Sequence, residues 1–361
     1  MTMKYAFTNG KILDGSRDMQ VQTGRCILVK NGKIHDIVSD TTDLSGYTKI
    51  DLKGHYILPG LINMHVHLAG SGKPQKKQRD NEKLVNTIMS TSLTRAIAYR
   101  MVAGFAKDEL LSGVTTIRTV GGLGDFDTRL RDEIKAGSKI GPRILASNQG
   151  ISVPGGHMAG SVAVAASSIP DALSHLKKSE QQKVDLIKLM ITGGVLDAKE
   201  KGVPGELKMP PEMVRAVCEK AHADGYLVAA HVESPEGVRV ALENGVDSIE
   251  HGAKLTDEMV KLFKERGAFL CTTISLALPY ALFDRSITNA TKRSAELTDI
   301  DSITGSIEKG KAADLIVTAQ NPLKDLKALR NLEMVISGGR FIEHPKIKKR
   351  KQVEAELDKF L

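Results

Sequence analysis

Short β-branched runs alternate with amphipathic stretches through the middle of this chain, and that alternation limits its fold more than any other feature. Val114–Val120 reads as a strand and Asp127–Ala136 as a helix. Pro142–Ser147 is a strand, followed by Pro170–Lys183 as a helix with Asp171 near its start. The pattern repeats as Val184–Met190 and Pro211–Asp224, Leu227–Val232 and Pro235–Glu243, Val246–His251 and Asp257–Arg266, and it ends on the strand Ala268–Thr273. Such alternation forces parallel pairing through right-handed crossovers. With the run that ends at His65–His67, seven strands are recognisable; a closed (β/α) barrel of the TIM type has eight. Lys83–Leu110 is expected to form one long helical stretch over the barrel, between its first two strands.

The two ends differ from the middle. Tyr5–Thr8, Cys26–Lys30, Ile34–Val38 and Thr48–Leu52 are short β-rich runs, punctuated by Asn9-Gly10, Asn31-Gly32 and Lys53-Gly54. The same style returns at 313–317 and 334–342. The expected class is α/β: a TIM-type barrel, incomplete on this strand count, with a small β-sandwich domain formed by the N- and C-terminal segments. The expected boundaries are 1–58 and 305–345 for the β-domain, 59–304 for the barrel and 346–361 for a basic tail. Val353, Leu357 and Leu361 lie at helical spacing in that tail and suggest a short docked helix.

A chain of 361 residues, 41% hydrophobic and 26% charged, is ordinary for a soluble protein with a large core. Much of the net charge of +8 sits in 73–79 and 346–351, which leaves a basic interaction protein as one competing reading. Aromatic residues are only 4% and Trp is absent, so there is little surface on which bases could stack, and no nucleic-acid partner is expected. No uncharged apolar run is long enough to span a bilayer. No apolar leader follows Met1, and the three cysteines (Cys26, Cys218, Cys271) have no CxxC spacing. A cytoplasmic protein in a reducing compartment is expected.

Chemistry in a parallel barrel sits where its strands end. The first strand delivers His65 and His67, two positions apart and so on one side of a strand. Two neutral imidazoles side by side are half of a metal site. Lys188 lies inside the apolar run 184–190, where desolvation favours the neutral, reactive amine. The next two strands end at His231 and His251. A single histidine on a strand is more often a satisfied core residue, and a single lysine often reaches for water. Four histidines and a lysine at successive strand ends are much harder to explain in those terms.

These residues carry a resemblance. Pro59-Gly60-Leu61-Ile62-Asn63-Met64-His65-Val66-His67, Lys188-Leu189-Met190-Ile191-Thr192-Gly193-Gly194, His231, Ile249-Glu250-His251-Gly252 and Gly305-Ser306-Ile307-Glu308-Lys309-Gly310-Lys311-Ala312-Ala313-Asp314 occur in the order and spacing of the metal-dependent amidohydrolase superfamily. The chain is most similar to the prolidase-like and imidazolonepropionase-like branch. The resemblance implies metal ligation by His65, His67, Lys188, His231 and His251, with Lys188 as a carbamate bridging two cations, and catalytic roles for Lys188 and His251. Zinc suits the imidazole and oxygen ligands. It further implies substrate contact by His157 in the Gly155-Gly156-His157 loop. The activity implied is hydrolysis of amide or peptide-like C–N bonds in small molecules such as dipeptides, N-acyl amino acids or cyclic amides, by water activated between the metals. Assembly into a homo-oligomer is compatible with this branch.

One feature of the superfamily has no clear counterpart. Its members carry an aspartate at the end of the eighth strand, and about 30 residues, the size of one βα unit, are missing here between Phe283 and Thr288. Asp284 is the only nearby carboxylate; Asp299 and Asp301 belong to the exit from the barrel. Loss of that group would impair proton relay, a factor of about 10²–10⁴. The alternative function is therefore a catalytically weak or inactive metal-binding relative.

Overall fold

The computed structural model describes residues 3–70, 80–194, 198, 205–273, 289–349, 354, 355 and 358. The N-terminal segment forms β1 (Lys4–Thr8), β2 (Lys11–Ile12), β3 (Arg25–Lys30), β4 (Lys33–Ser39), β5 (Thr48–Asp51) and β6 (Tyr56–Pro59). β7 (Leu61–Val66), β8 (Val114–Thr119), β9 (Arg143–Leu145), β10 (Gly150–Ser152), β11 (Ala163–Ala165), β12 (Leu186–Met190), β13 (Leu227–Val232), β14 (Ser248–His251) and β15 (Phe269–Cys271) follow. The C-terminal segment adds β16 (Leu315–Thr318), β17 (Leu332–Ser337) and β18 (Arg340–Glu343).

The two ends of the chain meet. β6 pairs with β16, so the last N-terminal strand and the first C-terminal strand share a five-stranded sheet, β18-β17-β16-β6-β2. A four-stranded sheet, β4-β3-β1-β5, lies beside it, and both contribute to one cluster that includes Phe7, Ile27, Ile57, Leu315 and Ile336.

The middle forms two parallel sheets, β7-β8-β9 and β11-β10-β12-β13-β14-β15. The third strand expected from the sequence is split. β9 pairs with β8, whereas β10 pairs with β12, and Asn148 between them has φ +54°. Asn tolerates this left-handed conformation, so the chain can bend here. Asp185 bridges the split: its N–H donates to the Ala146 carbonyl at 2.7 Å, and its carboxylate accepts from the Ala146 N–H at 2.8 Å. No pairing joins β7 to β15 among the described residues. Ala295 and Ile300 instead share a cluster with Ile62, Met64, Phe269 and Cys271 from those two strands. Residues 274–288, which include Asp284 and the path where an eighth strand was sought, lie outside the described residues, as does most of the expected tail helix.

The connecting helices start where polar caps allow. α4 (Ile169–Gln181), α6 (Pro235–Glu243) and α7 (Asp257–Arg266) begin after Ser168, Ser234 and Thr256, each of which accepts a bond from a first-turn N–H. Together with α5 (Pro211–Ala223) they cover the outer face of the larger parallel sheet. There Ile187, Leu189, Val228, Ala230 and Ile249 pack on Val214, Val217, Val238 and Ala241. The expected single helix over 83–110 is two helices, Asn81–Met89 and Ser92–Leu111. Ser90 Oγ donates back to the Thr87 carbonyl at 2.8 Å, and the extended Thr91 caps the second helix by accepting from Thr94 N at 3.1 Å. Local side-chain bonds of this kind compete with helix continuation.

Candidate metal centre

Register decides what faces inward. Met190, His231, Glu250 and Cys271 lie level across β12–β15, and Lys188, Ala229, Ser248 and Phe269 form the level below. His231 therefore points into the same interior as Lys188. On β7 the pairing slips between Asn63 and Val66, where three steps along β7 match two along β8. Such a bulge re-aims side chains, and it brings His65 and His67 together with ring centroids 5.1 Å apart. His251 follows inward-facing Glu250 directly and would alternate outward, but its φ of +71° turns it back. A non-glycine residue in this region is strained, and such strain gathers at functional sites.

The result is one cluster of rings drawn from three strands. His65 and His251 lie 4.8 Å apart, and His231 and His251 4.6 Å. His157, from the loop after β10, stacks on His231 at 3.9 Å with 8° between the planes. All five histidines singled out in the sequence are thus brought together, although they come from β7, β13, β14 and a loop.

Their outer nitrogens are committed. His65 Nδ1 meets Glu250 Oε2 at 2.7 Å, His67 Nδ1 meets the Gly121 carbonyl at 3.0 Å, and His251 Nδ1 meets Thr273 Oγ1 at 2.7 Å. A carboxylate and a carbonyl only accept, so the Nδ1 atoms of His65 and His67 carry the proton and their Nε2 lone pairs remain available. Metal-binding imidazoles are held in this way. Burial lowers the pKa of His65, His67, His231 and His251, and Lys188 lowers each further; His67 and His251 reach about 3. The rings are neutral, as a cation requires.

Two buried polar atoms of this interior, Lys188 Nζ and His231 Nε2, have no hydrogen-bond partner among the described residues. Lys188 is only 1% exposed. Burial drops its pKa to about 8, against the pull of Glu250 and with help from Arg118. Neutral imidazoles, an orphaned ring nitrogen and an orphaned amine at one place fit a divalent cation.

Two members of the site carry no role in the sequence reading. Glu250 was visible only as part of the Ile249-Glu250-His251-Gly252 run, and Arg118 only as a charge inside the β-branched run of β8. Arg118 donates from Nε to the Met64 carbonyl at 2.8 Å, from one terminal nitrogen to Ser248 Oγ at 3.0 Å and from the other to Glu250 Oε1 at 2.6 Å. Burial pushes the Glu250 pKa up, but Arg118, the bond to His65 and Lys188 outweigh it and keep the carboxylate ionised. The guanidinium thus anchors a carboxylate that in turn anchors His65. Two glycines leave room for the rings. A Cβ at Gly194 would stand 2.8 Å from His157 Cε1 and 3.2 Å from His231 Nε2, and one at Gly121 would stand 3.2 Å from His67.

Known proteins resemble this chain in sequence and in fold. An ochratoxinase of Aspergillus niger is 23% identical over 277 residues, which cover 69% of this chain and 55% of the ochratoxinase. This chain therefore spans about half the length of that relative. A crystal structure of a putative prolidase from Bifidobacterium longum superposes with a TM-score of 0.81 at 29% identity, covering 99% of this chain and 98% of that one. A Xaa-Pro dipeptidase with methionine bound in its active site superposes with a TM-score of 0.79 at 27% identity, covering 94% of this chain and 100% of that one. The amidohydrolase family profile matches residues 56–288, from β6 through every strand that supplies an imidazole, and the chain belongs to the amidohydrolase family.

Proposed function

We propose that this enzyme of the amidohydrolase type is a metal-dependent hydrolase of amide bonds in small, dipeptide-like molecules. The observation that carries the reading is the convergence of His65, His67, His231 and His251 on buried Lys188, whose amine has no hydrogen-bond partner among the described residues. Its relatives named prolidase, Xaa-Pro dipeptidase and ochratoxinase support the substrate class.

His65 and His67 would hold one cation, His231 and His251 a second, and zinc suits the donor set. When bound, such ions lower the pKa of water and polarise a carbonyl. The protein's own groups set the stage. Lys188, as neutral amine, adds carbon dioxide through its nitrogen lone pair, releases one proton and becomes an anionic carbamate able to face both cations. Glu250 and the Gly121 carbonyl fix the tautomers of His65 and His67. His157, stacked on His231, would donate to a substrate carbonyl or carboxylate. A domain division at 59–304, as expected from the sequence, would give this mouth a barrel-type scaffold, with the terminal sheets beside it.

The test is turnover of a panel of Xaa-Pro dipeptides and N-acyl amino acids before and after chelation. Activity that chelation abolishes and added zinc restores is the expected outcome. Bound metal with no turnover of any amide would favour the weak or inactive relative.

A further inference from the structure

A carboxylate not assigned above stands at the same centre. Glu233 is the one residue between the end of β13 at Val232 and Ser234, the cap of α6. It thus occupies a strand-to-helix junction at the mouth of the parallel sheet, where barrel chemistry is built. Its backbone is gripped from both sides by the segment that follows β12. The Glu233 N–H donates to Thr192 Oγ1 at 3.0 Å, and Thr192 is fully buried. Gly205, at φ +90°, lies so close that a Cβ there would stand 2.4 Å from the Glu233 carbonyl oxygen. Side-chain ligands held on fixed backbone are the ones that bind with defined geometry.

From this position a carboxylate oxygen of Glu233 and a ring nitrogen each of His231 and His251 lie within 4.8 Å of one another. Three ligand atoms that close together can serve one cation. Apart from Lys188 as its carbamate, the described residues on the His231–His251 side offer neutral nitrogens, and a further anionic oxygen there would offset cationic charge in a buried setting.

The geometry points to Glu233 as a metal ligand that completes, with His231 and His251, the seat of one cation. This rests on the metal-dependent reading above but not on the identity of the substrate. The experiment is a cobalt(II) titration of the metal-stripped full chain, followed by its visible absorption and by calorimetry, for the native protein, Glu233→Gln and Glu233→Asp. Far-ultraviolet circular dichroism and melting of the stripped proteins check that each variant is folded. Glu233→Gln should weaken one cobalt equivalent by roughly 10- to 100-fold and alter its absorption, leaving the other equivalent in place, with Glu233→Asp falling between. A Glu233→Gln titration within about twofold of the native one, or equal weakening of both equivalents, would overturn the assignment. Native protein that takes up cobalt but hydrolyses no amide would defeat the hydrolase reading and leave the ligand assignment standing. Native protein that binds no cobalt would defeat both.

Discussion

In the core shared by the terminal sheets the buried side chains include Phe7, Ile27, Ile57, Leu315 and Ile336. Inside the parallel sheets they include Arg118, Lys188, His231 and Glu250. Both regions are strands with alternating faces, yet they are filled in opposite ways. The terminal core follows the ordinary rule that apolar groups are removed from water. The parallel interior buries charge, which is costly unless it is paired. Arg118 and Glu250 are paired, whereas Lys188 Nζ and His231 Nε2 have no hydrogen-bond partner among the described residues. On the metal-dependent reading proposed above, the difference separates a region whose work is stability from one that gives up some stability to hold a ligand.

The sharpest way to break this comparison is to remove the first imidazole pair. His65→Ala with His67→Ala should abolish chelator-sensitive amide turnover and lower bound metal, as read by elemental analysis, while the protein still folds. Unchanged metal content would show that the cluster is only a polar core. Next in size is Arg118→Ala. It takes from buried Glu250 the guanidinium that pairs with it and should cost about 3 kcal/mol in denaturant unfolding, and it should also weaken metal binding through His65. In the apolar region, Ile57→Ala should cost about 2–5 kcal/mol and leave metal affinity untouched. If it altered metal affinity, the two regions would not be independent.

The smallest effect concerns Asp127, which is 1% exposed at the start of the helix Phe126–Lys135. Burial raises its pKa to about 6, opposed only by a bond from Thr119. A carboxyl raised on folding is protonated in the folded chain before the unfolded one. Its contribution to stability is therefore lost as pH rises from near 4 through about 6. Asp127→Asn should raise the unfolding free energy by on the order of 2 kcal/mol at pH 7, with the gain fading near pH 4. A gain that is constant with pH would mean that packing, and not charge, is responsible.

Most of the strand and helix order is written in local pattern, because periodicity and caps are properties of neighbouring residues. Leu227–Val232, Pro235–Glu243 and Asp257–Arg266 fall where their spacing places them. The third strand was read as one run, because the bend at Asn148 depends on which neighbours each half pairs with. The break at Ser90–Thr91 was overlooked because serine and threonine are read more readily as helix surface than as paired caps.

Alternation into parallel strands, β-sheets at both ends, and His65, His67, His231 and His251 at or near strand ends with Lys188 inside a strand are all legible in the sequence alone. Those are consequences of residue type and spacing. Only the tertiary structure decided which side chains meet across the interior. Arg118 reaches Glu250 over 132 positions of chain, and Glu250 reaches His65 over 185. Glu233, two positions from His231, comes beside His251 through the pairing of β13 with β14. No local periodicity encodes such encounters; strand register, a bulge in β7 and one left-handed histidine set them.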